Sequence, residues 1–271
     1  MGVPVVTLPK FTPHTFFSAI ETYQVTWSFI VPPIINFLAN FPGVDKSNLS
    51  SLKGLLSGAA PMAAEVALKA MKRVEILTGK EFMITQGSGL TETSPATHVL
   101  PLEMARAKLG SIGRLLPALE ARIIDAEGND VAESEPGEMA LRGPTIMRGY
   151  WRNEQATTDT FTADGWYRTG DVAKVDGEGY WYIIDRLKEM IKVKGFQVAP
   201  AELEGLLMSH PDILDAGVIG VTAADGVTEL PKAFIVPRGG IEQFEELGRR
   251  SAFEQEVGTW LGEQASRGIL V

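Results

Sequence analysis

From Asp164 to Glu204 the sequence reads DGWYRTGDVAKVDGEGYWYIIDRLKEMIKVKGFQVAPAELE, which crowds carboxylates, guanidinium groups and ammonium groups into one short segment. Asp171 follows Gly170 in YRTGDVA. The glycine permits a tight turn, so the carboxylate can face a cleft, where its two acceptor oxygens suit a pair of ribose hydroxyls. An aspartate that simply closes a β-turn fits the same residues. Arg186, Lys188, Lys192 and Lys194 lie within nine positions, and in an extended strand Lys192 and Lys194 share a face. A solvated basic hairpin is the ordinary explanation of such a run. In a chain with a formal charge of -9 and a pI near 5.0, a basic cluster ending at Gly195 is also a seat for a polyphosphate. The second stretch that could do chemistry is EFMITQGSGLTETSP, Glu81 to Pro95: a strand, then a loop with glycines at 87 and 89 and hydroxyls at 88, 91 and 93. Small residues let backbone N–H groups approach a phosphate, and Thr91 with Glu92 can bind a phosphate oxygen and a metal ion. The alternative is a flexible strand-to-helix loop. A dinucleotide fingerprint is excluded, because Glu92 stands where a third glycine is required.

These groups need a scaffold, and hydrophobic periodicity predicts one. Thr15 to Tyr23, Ile34 to Asn40 and Ala63 to Arg73 read as helices, with strands at Thr26 to Val31, Leu52 to Ser57 and Glu81 to Thr85. Alternation of this kind implies an α/β layer with a largely parallel sheet over residues 1–110. From 111 to 185 glycine and β-formers dominate (GSIGRLL, LEARIID, GEMALRG, GYWYIID), which predicts a small antiparallel or barrel-like unit. Residues 186–271 then offer a helix opened by Pro200, strands at AGVIGV and KAFIVP, and an acidic helical tail from Gln243 to Gln264. No internal repeat or low-complexity tract interrupts this order.

Composition removes several classes of function. With 45% hydrophobic residues in 271, the chain can bury a real core. Its net negative charge repels nucleic acid and anionic lipid, so neither is expected as a partner. The sequence has no cysteine, which removes disulfides, thiolate metal sites and cysteine nucleophiles. His14, His98 and His210 form no spaced ligand set and read as surface or satisfied core residues. The longest apolar run, Trp27 to Ala39, is broken by Pro32 and Pro33 and is too short to span a bilayer. Met1 is followed by no basic region and cleavage site. The expected location is cytoplasmic.

Taken together and in order, the stretches PKFTPHTF, VPPIINFLA, SGAAPM, QGSGLTETSP, GEMALRGPTIMRGYW, DGWYRTGD, IIDRLKEMIKVKGFQVAPAELE and ELPKAFIV make the chain resemble the adenylate-forming (AMP-binding) superfamily, with the likeness strongest to 4-coumarate:CoA ligases and related acyl-CoA synthetases. The resemblance implies an α/β, multidomain adenylate-forming fold that is partial: an incomplete α/β sheet layer, a small β-rich barrel-like unit and a small C-terminal α+β domain. It implies that Thr91 and Glu92 meet the α-phosphate of ATP and Mg²⁺, with Glu92 as the metal ligand. Asp171 would hold the ribose hydroxyls, with Arg186 beside it and Asp185 as the hinge of the C-terminal domain. Ala59 and Ala60 would line the adenine and acyl pocket together with Gln86, Gly87 and Ser88. Lys188, Lys192 and Gln197 would lie near the acyl-adenylate, and Lys194 and Gly195 in the segment that meets CoA. Thr91, Glu92, Arg186 and Lys188 would take part in catalysis.

In family terms a small carboxylic acid attacks the α-phosphate of ATP, giving acyl-AMP and pyrophosphate. The thiol of CoA, or of a carrier protein, then takes the acyl group. Catalysis of that kind is mostly alignment and charge neutralisation. Three departures from the family's pattern stand out. No Ser/Thr/Gly-rich loop ending in Pro-Lys-Gly occurs, no lysine follows Lys232, and Ser88 stands where the family places an aromatic. The sequence therefore reads as a fragment of a ligase, with a catalytically silent nucleotide-binding protein, or a lobe that needs a partner, as the other reading.

Overall fold

The structure is a computed structural model, and it describes residues 2–60, 62, 64–132, 135–193, 196–223, 228–244 and 249–264. The chain divides into two compact units, one made of Met1–Thr169 with Ala173–Ile183, the other of Gly170–Val172 with Ile184–Val271.

In the first unit, helix α1 (Pro13–Tyr23), strand β1 (Trp27–Ile30), helix α2 (Pro32–Asn40), strand β2 (Gly54–Ser57), helix α3 (Ala64–Thr78) and strand β3 (Met83–Gly89) alternate along the chain. α1 starts where its sequence dictates. Thr12 accepts from the Thr15 backbone N–H at 3.1 Å, the Thr15 hydroxyl accepts from the Thr12 N–H at 3.0 Å, and Pro13 occupies the first turn. β1, β2 and β3 pair in parallel, and β4 (Ala96–Val99) and β5 (Arg114–Leu115) extend the sheet antiparallel in the order β1-β2-β3-β4-β5. The register Phe29↔Leu56 and Leu55↔Ile84 sorts the strand residues into two faces. Ile30, Leu55 and Ile84 join one core cluster with Phe16, Phe17 and Ile20 of α1, Ile35 and Leu38 of α2, and Ala67, Met71 and Val74 of α3. All three helices therefore cover the same face.

The predicted elements are present with shifted ends. The expected strand Glu81 to Thr85 begins at Met83 and runs on through the expected loop to Gly89, because β4 supplies an antiparallel ladder for Gly87, Ser88 and Gly89. α3 runs five residues beyond Arg73, to Thr78.

β6 (Glu120–Ile124), β7 (Gly137–Arg142), β8 (Tyr167–Val175) and β9 (Trp181–Arg186) form a four-stranded sheet in that order, with helix α4 (Glu154–Thr160) in the connection from β7 to β8. Ile123, Met139, Leu141, Tyr167, Ala173 and Trp181 build its core with Ile112. The barrel-like expectation is corrected here. Among the described residues the sheet runs from β6 to β9, with one antiparallel bridge from Trp181 of β9 to Gly113, and does not close on itself.

The second unit contains the hairpin β10 (Ile191–Val193) and β11 (Phe196–Val198), helix α5 (Pro200–Ser209), the long antiparallel pair β12 (Ile213–Thr222) and β13 (Glu229–Pro237), and helix α6 (Arg249–Gln264). Its core joins Ile191, Val193, Leu203, Leu207, Ile213, Val218 and Val257. The acidic helical tail expected from Gln243 is a single 3-10 turn at Glu242–Phe244 followed by α6. Among the described residues no helix is long and apolar enough to cross a membrane.

Candidate functional site

The first cluster lies at the carboxyl ends of β2 and β3, which are neighbours in register, Ser57 opposite Gln86. Ala59 and Ala60 are exposed just beyond β2, and Ala59 has φ 74°, a left-handed conformation that costs an alanine about 1 kcal/mol or more. Strain of this kind in a loop over a sheet end is typical of binding sites.

Gln86, Gly87 and Ser88 lie inside β3 rather than in a loop, with Ser88 opposite His98. A Cβ on Gly87 would come within 3.2 Å of the His98 carbonyl, and one on Gly89 within 2.1 Å of the Pro95 carbonyl. Glycine at 89 is thus required for β3 to turn back into β4. The connection is a single 3-10 turn, Thr91–Thr93, and not the entry to a helix, which corrects the strand-to-helix alternative. Thr93 accepts from the Leu90 N–H at 3.0 Å and donates to the Pro95 carbonyl, which locks the turn. Thr91 is left exposed at its tip and Glu92 half-buried. Such a turn offers no helix dipole, so a phosphate here would be met by the Thr91 hydroxyl and by charge.

Glu92 is held from the segment before α4. Its carbonyl accepts from Met147 N–H at 2.7 Å, and its Oε1 accepts from the Tyr150 hydroxyl at 3.0 Å. Burial, and then the bond to Glu92, pushes the Tyr150 hydroxyl above its ordinary pKa. Sequence reasoning missed Tyr150 as a site residue, although it lies within the quoted stretch GEMALRGPTIMRGYW. The signal was an aromatic with a polar tip beside two glycine-flanked turns. Among the described residues no group of three or more His, Asp or Glu side chains could hold a metal by itself. Mg²⁺ can be held by one carboxylate with phosphates and water, and Glu92 offers one carboxylate, bonded to the Tyr150 hydroxyl.

Three buried polar atoms in this part of the molecule lack a hydrogen-bond partner: Ser57 Oγ, Gln86 Oε1 and His98 Nε2. His98 is 0% exposed, with Nδ1 3.0 Å from the Thr97 hydroxyl and the ring against Trp181, and burial lowers its pKa to about 4. The expected satisfied core histidine is thus half satisfied. His14 is exposed, and His210 is buried, accepting from Asp212 N–H at 3.2 Å.

The second cluster belongs to the second unit. The Asp171 side chain is 7% exposed and takes a 2.8 Å ion pair from Nε of Arg186, which is 52% exposed. Asp171 does not close a turn. It lies within β8, after Gly170 at φ 73°, so the glycine serves to kink a strand. The Gly170 carbonyl accepts from Leu187 N–H at 2.8 Å, tying that kink to the end of β9.

Asp185 is buried with both oxygens engaged: Oδ1 accepts from Arg186 N–H at 2.7 Å and Oδ2 from Ala201 N–H at 3.0 Å. Ala199, the residue before α5, has no side chain to cap that helix, so Asp185 satisfies one of its free N–H groups from a distance. Lys188 is exposed in the turn after β9. Lys192 stands exposed between buried Ile191 and Val193, directly opposite Gln197 on β11, and its backbone N–H donates to Glu229 at 2.8 Å. Lys194 and Gly195 lie outside the described residues. The structure thus joins Asp171 to Arg186, and Lys192 to Gln197, each within one unit.

An AMP-binding enzyme family model matches residues 1–151, more than half of the chain. The chain belongs to the AMP-binding enzyme family. The model of the AMP-binding enzyme C-terminal domain matches residues 202–267. Similar relatives include a probable 4-coumarate–CoA ligase of Dictyostelium discoideum, 45% identical over 254 residues (93% of this chain, 44% of that protein), and a phenylacetyl-CoA ligase of Aspergillus niger, 40% identical over 251 residues (91% and 46%). Among solved structures, ATP-bound MatB from Rhodopseudomonas palustris is 28% identical with a TM-score of 0.78, covering 96% of this chain and 48% of that one. The o-succinylbenzoate CoA synthetase MenE of Bacillus subtilis, in complex with its acyl-adenylate intermediate, is 26% identical with a TM-score of 0.76 (96% and 49%). This AMP-binding chain therefore spans less than half the length of the relatives it matches.

Proposed function

We propose that the chain carries part of the machinery of an acid–thiol ligase that activates a small carboxylic acid with ATP to an acyl-adenylate and passes the acyl group to CoA. The observation that carries this reading is its 45% identity to a probable CoA ligase across 93% of its length, with the Thr91-Glu92 turn and the Asp171–Arg186 pair formed.

In this reading Asp171, aimed by the kink at Gly170 and held by Arg186, accepts the ribose hydroxyls. Ala59, Ala60, Gln86, Gly87 and Ser88 border the adenine and acyl groups. The Thr91 hydroxyl donates to the α-phosphate. Glu92, steadied by Tyr150, would hold Mg²⁺, which neutralises charge on the phosphates when bound. Lys188, Lys192 and Gln197 lie near the acyl-adenylate, and Lys194 and Gly195 meet the thiol, of CoA first and of a carrier protein as the variant reading. The division at residues 110 and 185, a hinge role for Asp185 and a cytoplasmic location belong to the same proposal.

Titration calorimetry with ATP and with a non-hydrolysable acyl-adenylate analogue tests it. Both should bind, and Asp171→Ala should weaken both by about tenfold or more, the loss of a charged hydrogen-bond acceptor. Heatless titrations of the folded protein would overturn the reading. Binding without turnover favours the second reading, a nucleotide-binding chain that is silent alone or serves as a lobe for a partner. The missing glycine-rich loop and the absence of any lysine after Lys232 motivate that alternative.

A further inference from the structure

Several carboxylates of the first unit are paired with arginine: Glu120 with Arg142, Glu138 with Arg168 and Asp164 with Arg122. Among the described residues Glu92 takes part in no such ion pair. Its carboxylate meets a neutral phenol instead, the Tyr150 hydroxyl donating to Oε1 at 3.0 Å across 58 positions of sequence. A guanidinium would cancel the charge of the carboxylate and can cover both its oxygens, whereas a phenol leaves the charge in place and occupies one oxygen. The phenol is itself aimed by the turn that opens α4. Tyr150 N–H donates to Thr157 Oγ1 at 2.9 Å, and the Thr157 hydroxyl donates to the Asn153 carbonyl at 2.9 Å. Asn153 in turn caps α4, accepting from Ala156 N–H at 3.1 Å. Three residues before Tyr150, Met147 N–H donates to the Glu92 carbonyl at 2.7 Å. The segment from Met147 to Thr157 thus grips Glu92 at its backbone and at its side chain.

We infer that Tyr150 is a positioning residue for the divalent cation that accompanies the nucleotide: by holding Oε1 it sets the Glu92 carboxylate so that Oε2 is the single oxygen offered to the metal. The inference rests on the proposed nucleotide-binding reading of this turn and adds to it the group that orients the metal ligand. A glutamate without such a partner samples several rotamers, and ordering it when the ligand arrives costs side-chain entropy. A hydrogen bond already in place removes part of that cost before binding, which is how outer-shell donors strengthen metal sites. The neutral donor also governs the mode of ligation. With one oxygen occupied, the carboxylate can bind through the other alone, which suits Mg²⁺, an ion usually held by one or two carboxylates with water and phosphate in its remaining positions.

Tyr150→Phe keeps the ring and removes only the hydroxyl. Titration calorimetry of the full chain with ATP, once in Mg²⁺ and once in EDTA, measures the gain in affinity that the cation brings. In the variant this gain should fall about tenfold or vanish, the usual loss when a group that orients a metal ligand is removed, while the affinity in EDTA stays at the wild-type value. Added to Glu92→Gln, Tyr150→Phe should change neither affinity further, because its effect passes through the carboxylate. A wild-type Mg²⁺ gain kept intact in Tyr150→Phe would overturn the inference and leave the nucleotide-binding reading standing. An equal loss in Mg²⁺ and in EDTA would do the same, since the hydroxyl would then serve the fold and not the metal. So would wild-type protein that binds ATP equally well in both conditions. Wild-type protein that binds ATP in neither would overturn both readings together.

Discussion

His98 shows how burial alone can set the chemistry of a residue. Its imidazole is neutral in the folded state because the charged form is unsolvated there, and its pKa falls from the ordinary 6.5 to about 4. The folded value is the lower one, so the stabilisation is complete above pH 6.5 and is lost as pH falls toward 4. The loss at pH 4 amounts to roughly 3 kcal/mol. His98→Leu removes the proton site and leaves no buried nitrogen without a partner. The difference in stability between wild type and variant, read from urea midpoints, should therefore shift in favour of the variant by most of that amount between pH 7 and pH 4. Parallel acid limbs would refute it. Ala59 offers the complementary case, in which the backbone and not the side chain is the stressed part. At φ 74° a glycine has no steric penalty, so Ala59→Gly should raise stability by about 1 kcal/mol in a thermal or urea melt.

At the scale of elements, two helix starts are secured in different ways. α1 carries its own cap, since Thr12 and Thr15 satisfy each other's N–H groups within one turn. Thr12→Ala should cost about 1 kcal/mol in a urea melt, with little effect outside that helix. α5 borrows its cap from Asp185, sixteen residues earlier. Asp185→Ala removes one acceptor from Ala201 and another from Arg186, so it should cost more, about 2 kcal/mol, and should speed amide exchange at the start of α5. The same element view explains why sequence reasoning placed the glycines of QGSG in a loop. Glycine signals a place where backbone must come close, and here that neighbour is β4, which lies later in the chain.

For the whole molecule, the decisive matter is which charge-stabilising groups the chain contains. Adenylation builds negative charge on the α-phosphate and on the departing pyrophosphate, and the family pattern meets it with a glycine-rich loop, Mg²⁺ and a late lysine. The sequence has neither the loop nor the lysine. Removing one well-placed group of this kind costs other enzymes roughly a hundred- to a thousandfold in rate, and groups that act as a unit seldom add. The purified chain given ATP, Mg²⁺, CoA and a panel of aryl and fatty acids should release pyrophosphate far below about 1 per second. Thiol transfer from a synthetic acyl-adenylate should be the less impaired half-reaction, since it leaves out the phosphoryl step. Pyrophosphate release at ordinary enzymatic rates would show that other residues replace the missing groups.

The local order of helices and strands and the family were legible in the sequence. Periodicity, caps and short motifs are properties of neighbouring residues: Thr12 and Thr15 cap α1 within one turn, and DGWYRTGD keeps its motif wherever it is placed. What tertiary structure decided was every property that depends on a partner distant in the chain. Asp171 became a strand residue beside Arg186, Asp185 became the cap of α5, Tyr150 came to hold Glu92, and His98 lost its charge against Trp181. The open four-stranded sheet is of the same kind. Whether a strand closes a barrel is fixed by which other strands are present to meet it, and no local pattern encodes that count.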